Sequence, residues 1–343
     1  MHITVLCKVV DNYGDIGVAW RMSRRLKKIA PQNTISLVVD DFKTFSVIAS
    51  EAKQSKVLEG VELFDWNNET LCHDIFAAND GERLQIILEL FQCGRPDWME
   101  KILFEEKLNR TVQIIMIDYL TAEKYAEDFH CLKSLTRSAK VQKVNFMPGF
   151  TGATGGLIID DEWKELPPYN ADGPVLVFTY TMGVGLIENT GSLSLSKGQE
   201  LKPLPYMPQP DWDKMMKTCS ALIIRGEETM SRACLSGIPF IWQAYHQTEE
   251  YHLVKVKALL ERMKPHFEEE AFEIVEKAWK FVNLDCHALR ARGANAVSDV
   301  AIQNFLNARH TLVPYFQSFS QSLRKNEDLC ANLMTFINKI AII

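Results

Sequence analysis

Residues 219–247, CSALIIRGEETMSRACLSGIPFIWQAYHQ, decide the fold. Ala221 to Ile224 is a short apolar run, enough for one buried strand, and it ends at Arg225-Gly226. Glu227, Glu228, Thr229 and Ser231 crowd a helix start, and Ala233, Cys234 and Leu235 give that helix an apolar face. Gly237-Ile238-Pro239 stops it, and a second apolar run follows through Trp242. The order is strand, polar turn, short helix, turn, strand. It places Arg225 at a strand's carboxyl end beside a helix N-terminus, where open α/β sheets receive anionic ligands.

The start of the chain reads as a matching half-site. Ile3 to Val10 is apolar and β-branched, a first strand. Asp11-Asn12-Tyr13-Gly14-Asp15-Ile16-Gly17 is expected as a turn opening into a helix that carries Val18, Trp20, Met22 and Leu26 and ends near Ala30-Pro31. Strands are expected over 35–39, 61–64, 84–90 and 112–117, with helices over 42–51 and 98–106 between them, while 67–84 is weakly patterned. This alternation describes a mainly parallel α/β sheet. Residues 144–157, VNFMPGFTGATGGL, form a glycine-rich loop close to a neighbour, either a tight domain-edge loop or one that closes over substrate or partner. The charged, proline-containing segment 160–173 suits a linker.

The expected organisation is an N-terminal Rossmann-like domain over 1–165, a C-terminal one over 174–320, and a helical segment over 321–343 that bridges back to the first. In the second domain, strands are expected over 174–180 and 201–207. Helices are expected over 183–190, over 211–219 with Asp211 as cap, and over 248–263, 268–282 and 285–307, with Pro314 interrupting the remaining helical stretch. A length of 343 residues suits two domains.

Composition narrows the function. A net charge of −6 argues against general nucleic-acid or anionic-membrane binding. Neither a signal peptide nor a membrane-spanning run is visible, and the eight cysteines form no CxxC pair, so a reducing cytoplasm is the expected setting, without structural zinc or a disulfide framework.

Asp11 and Asp15 flank one short turn, and Gly14 and Gly17 let the backbone tighten and a ligand approach. Neither a dinucleotide fingerprint nor a Walker loop is present. Two carboxylates there suit a guanidinium, which is planar, has five donors and accepts nothing. Its nitrogens are poor nucleophiles, so modifying one requires pinning it and taking a proton late. The plainer reading is a turn held by Asx capping, with Asp15 as the helix cap. Arg225 and the helix start suit a diphosphate. Glu227 and Glu228 suit sugar or ribose hydroxyls, or serve only as first-turn acids that favour the dipole. Tyr180, Tyr206 and Tyr245 lie near strand ends, and Gln209, Gln247 and His252 are polar positions beside the same site. No cluster has metal-ligand spacing.

Three ordered segments, DNYGDIGVAWRMSRRL at 11–26, FMPGFTGATGGL at 146–157 and RGEETMSRACLSGIPFIWQAYHQ at 225–247, resemble the bacterial protein-arginine rhamnosyltransferases that modify elongation factor P. The resemblance implies a GT-B fold, two Rossmann-like domains facing across a cleft. It implies transfer of rhamnose from dTDP-β-L-rhamnose to an arginine of elongation factor P, with inversion, no metal and no cofactor beyond that co-substrate. By the same resemblance Asp15 is the general base and Asp11 its companion on the acceptor arginine. Glu227 is an essential residue at the donor, and Arg225, Gln209, Tyr245, Phe178 and Tyr180 are donor contacts, with Gly17, Glu228 and Thr229 beside them. RGEETM stands where the family usually has RGEDSF, and IWQAYHQ where it has a segment closer to VWHIYPQ. These changes bear on the donor pocket. Two other readings share parts of this pattern: a GT-B enzyme with another acceptor, and a non-catalytic nucleotide-sugar-binding protein.

Overall fold

The computed structural model describes residues 1–9, 12–41, 57–77, 84–105, 108, 110–177, 201–202, 207–283 and 295–341. Asp11, Phe178, Tyr180 and Tyr206, the helices expected over 42–51 and 183–190, and the start of the one expected from 285 lie outside them. The chain divides into two compact units. The first is Met1–Asp160 with Asn326–Ile343, and the second is Asp161–Lys325.

The first unit is built on an eight-stranded sheet. Strands β1 (His2–Cys7), β2 (Thr34–Val39), β4 (Val61–Asp65), β5 (Leu84–Leu90), β6 (Thr111–Ile117) and β8 (Val141–Asn145) are parallel, and β3 (Val57–Leu58) and β7 (Lys133–Ser134) pair antiparallel at the two edges. The order is β3-β4-β2-β1-β5-β6-β8-β7. Taken over the parallel strands alone, this is the Rossmann order, with its switch between β1 and β5. Every residue of β1 is buried, as a strand covered on both faces requires.

Ile3, Val5 and Cys7 pack on one face with Ile16, Ala19 and Leu26 of helix α1 (Asn12–Ile29), while Leu6 packs on the other with Trp98, Met99 and Ile102. Helix α1 begins at Asn12, so the expected turn through Gly17 is already helical. The weakly patterned segment after β4 contains helix α2 (Glu69–Ala77), whose Cys72 and Phe76 join that second cluster. Helices α3 (Asp97–Phe104) and α4 (Tyr125–Phe129) complete the crossovers.

The glycine-rich loop packs on the chain's own C-terminal segment. Asn326 Nδ2 donates to the Phe150 carbonyl at 2.9 Å, Asn332 Nδ2 to the Gly155 carbonyl at 3.1 Å, and the Leu329 amide to the Leu157 carbonyl at 2.8 Å. Gly156 has φ +86°, and a Cβ there would lie 2.9 Å from the Glu327 carbonyl oxygen. Asp328 is buried and accepts from Arg25 Nε at 2.8 Å and from the Ile159 amide at 2.9 Å.

The second unit carries a four-stranded parallel sheet, β10 (Leu201–Lys202), β9 (Val175–Val177), β11 (Ala221–Ile224) and β12 (Phe240–Trp242), in the order β10-β9-β11-β12. Helix α5 (Gln209–Met216) starts at Gln209, so Asp211 sits in its first turn and is not the cap; that position is Pro208. Helix α6 (Glu227–Ser236) runs between β11 and β12 and ends on Gly237, whose φ of +66° closes it in the left-handed conformation that glycine adopts without strain. Residues 248–250 form a short 3-10 turn ahead of helix α7 (Tyr251–Met263) instead of continuing it. Helix α8 (Glu269–Asn283) follows. Pro314 does not interrupt its helix: α9 runs Asn295–Arg324 through it, and α10 (Leu329–Ala341) belongs to the first unit.

Candidate active site

In the first unit, the crevice outside the carboxyl ends of β1 and β5 is where a Rossmann sheet takes its ligand. Asp15 sits there, in the first turn of α1 and 3% exposed. It is therefore a first-turn acid, favoured by the helix dipole, and not the cap of the plainer reading. Its carboxylate is felt by Cys7, the last residue of β1. Burial first, then the charges of Asp15, Cys93 and Asp40, push the Cys7 thiol well above its ordinary value. Gly17 is buried in the same helix.

Sequence reasoning missed the other residues around these strand ends. The Val9 amide donates to Asp40 Oδ1 at 2.8 Å, tying the loop after β1 to the end of β2. After β5, Phe91 and Gln92 both hold positive φ, 54° and 53°, which is uncommon for residues with a Cβ. Phe91 stacks on Tyr119 with centroids 4.4 Å apart, and Gln92 Nε2 donates to Asp118 Oδ2 at 2.9 Å. No periodic signal announces two consecutive left-handed residues.

In the second unit, β9 lies between β10 and β11, so this sheet also changes direction at the strand that leads into residues 178–180. Arg225 follows β11 at that edge. Its guanidinium carbon lies 4.9 Å from the Tyr245 ring centroid, and its carbonyl accepts from Trp242 Nε1 at 2.7 Å. The Arg225 Nε is buried and has no hydrogen-bond partner among the described residues. Gly226 caps α6 with no side-chain bond, leaving first-turn N–H groups for an anion.

The two acids of that turn are engaged. Glu227 Oε1 accepts from Lys255 Nζ at 2.9 Å. Glu228 lies 3.5 Å from Arg232 Nε, and the Ser231 hydroxyl donates to its carbonyl at 2.8 Å. Thr229 is buried. Gln209 opens α5 with its Oε1 buried. Beyond Tyr245, buried His252 lies against His246 with ring centroids 4.4 Å apart and planes tilted by 36°, and its Nδ1 accepts from the Gln247 amide at 3.4 Å. The structure thus groups Arg225, Tyr245, Glu227 and Glu228 at one corner and sets Asp15 at the switch point of the other unit.

Among the described residues no group of three or more His, Cys, Asp or Glu could hold a metal ion, and no helix is long and apolar enough to cross a membrane. Two α/β units on parallel sheets, one with a buried acid at its switch point and one with an arginine beside a helix N-terminus, are the architecture expected of a glycosyltransferase of GT-B type.

The sequence pattern of the family described as Elongation-Factor P (EF-P) rhamnosyltransferase EarP matches residues 3–172 and 177–338, and the chain belongs to that family. It is similar to the protein-arginine rhamnosyltransferase of Pseudomonas aeruginosa, 28% identical with 75% of this chain and 80% of that one covered. It is similar also to those of Shewanella oneidensis (27%; 76% and 80%) and Neisseria meningitidis serogroup B (26%; 75% and 78%). A solved structure concerning EarP-mediated arginine glycosylation of translation elongation factor EF-P superposes with TM-score 0.46 at 16% identity, covering 98% of this chain and 99% of that one.

Proposed function

We propose that this protein transfers L-rhamnose from dTDP-β-L-rhamnose to an arginine side chain of elongation factor P, in the cytoplasm, with inversion at the anomeric carbon. The observation that carries this is the family match running through nearly the whole chain. A guanidinium nitrogen attacks C1 of the sugar, the bond from C1 to the diphosphate oxygen breaks, and dTDP leaves with that electron pair. Asp15 takes the proton shed by the guanidinium, with Asp11 beside it in sequence holding the acceptor. Burial of Asp15 suits this role, because a carboxylate shielded from water binds a cation more strongly than an exposed one.

On the donor side, Arg225 and the first-turn N–H groups of α6 meet the charge that develops on the diphosphate. Tyr245 holds the Arg225 plane, and Glu227 and Gln209 take donor hydroxyls, with Phe178, Tyr180, Gly17, Glu228 and Thr229 completing the donor contacts. The residues present supply the proton acceptor and the leaving-group charge, so the transfer is read as needing no metal or added cofactor.

The test is intact-mass analysis of elongation factor P incubated with this protein and dTDP-β-L-rhamnose. One added deoxyhexose is expected, and it should be lost when the acceptor arginine is replaced by lysine. Unchanged mass with folded enzyme and intact donor would overturn the reading.

A further inference from the structure

The helix α6 N-terminus presents a contradiction that its neighbours resolve. Glu227 and Glu228 occupy the first turn, where they favour the helix dipole but oppose a diphosphate placed on the same N–H groups. Each is matched by a base of its own unit: Glu228 by Arg232, one turn along, and Glu227 by Lys255, which no spacing rule connects to it. The Lys255–Glu227 pair is partly shielded, with side chains 17% and 26% exposed, so solvent screens it less than a surface pair. Lys255 reaches it from α7, whose start is set by two consecutive left-handed residues, Glu249 at φ 56° and Glu250 at φ 57°. Strain of that kind persists only where the surroundings impose it. With both acids matched by bases, Arg225, whose Nε is buried and has no hydrogen-bond partner among the described residues, can offer its charge to an anion at the corner.

We propose that Lys255 is a positioning residue for the transfer, which orients the Glu227 carboxylate toward the donor hydroxyls and offsets its charge so that a nucleoside diphosphate can occupy the corner formed by Arg225 and the α6 N-terminus. This rests on the donor reading given above. Without Lys255 a bare carboxylate stands beside the diphosphate.

The experiment measures dTDP affinity by calorimetry for the wild type, K255M, K255R, E227Q and the K255M/E227Q double variant, with thermal unfolding of each. K255M should weaken binding about tenfold, which corresponds to about 1.4 kcal/mol. The loss should be larger at low salt. K255R should restore most of the affinity. In the E227Q background the same K255M change should alter affinity by no more than about twofold, because the charge it neutralises is gone. Wild-type binding that K255M leaves unchanged, or an equal loss in the E227Q background, would overturn the proposal alone. A wild type that does not bind dTDP would overturn the donor reading and this proposal with it.

Discussion

The Arg225 guanidinium carbon lies 4.9 Å from the centre of the Tyr245 ring, across the end of β11 from the segment after β12. The Tyr245 ring covers one side of the guanidinium, and Nε, which has no hydrogen-bond partner among the described residues, is available for an anion. Arg225→Lys keeps the charge but loses the planar fork and its contact over the Tyr245 ring. It is expected to weaken dTDP binding by about tenfold or more. Tyr245→Phe keeps the ring and should bind nearly as the wild type does. Calorimetry decides the matter, and R225K binding as tightly as the wild type would remove Arg225 from the donor site.

Asp15→Asn is nearly isosteric in a position only 3% exposed, so the fold should tolerate it while the proton acceptor is lost. Transfer to elongation factor P should fall by about a hundredfold or more. Affinity for dTDP should hold, because Arg225 and the α6 N-terminus, which meet the diphosphate, belong to the other unit. A D15N enzyme with ordinary turnover would show that another group takes the proton.

Gly156→Ala tests what the glycine-rich loop is for. The added methyl meets the Glu327 carbonyl oxygen at 2.9 Å in a backbone with φ +86°. The expected cost is roughly 1–3 kcal/mol of stability, seen as a lower urea midpoint. Affinity for dTDP should not change. Full stability with lost transfer would instead make the loop part of the acceptor site.

Alkaline pH should destabilise the protein through its buried thiols. Burial above all, with the charge of Glu89, pushes the Cys93 thiol from 9.0 up to about 12. In the unfolded chain the same thiol ionises near its ordinary value, so between these limits the unfolded state holds fewer protons. The stability tied to Cys93 is then complete below pH 9 and declines as pH rises through the folded value. The slope is about 1.4 kcal/mol per pH unit for one such group. Cys93→Val should flatten the fall in urea midpoint measured between pH 8 and 10.5, and an unchanged slope would contradict this account.

How much could be read in advance followed from distance along the chain. The βαβ unit around Arg225 was legible because each cue acts within a few residues: a run of apolar residues, a polar first turn, a glycine at the helix end. The strand before Asp15 was legible for the same reason, though Gly14 and Gly17 suggested a turn where helix α1 already begins. Helix α2 went unseen because its apolar face is completed by Trp98 and Met99 of another helix. Pro314 looked like a break, yet α9 continues through it, with Phe305, Leu312 and Phe316 buried on either side. Packing outweighs one missing backbone bond.

The sequence alone therefore determined the α/β class, the strands that lead to Asp15 and Arg225, and the family, since these rest on local periodicity and on contiguous motifs. Only the tertiary structure decided which partners those residues meet. It matched Glu227 with Lys255, set Arg225 over the Tyr245 ring, and placed the glycine-rich loop on residues some 170 positions further on. Those choices depend on side chains brought together by the packing of helices on sheets, and no spacing along the chain encodes them.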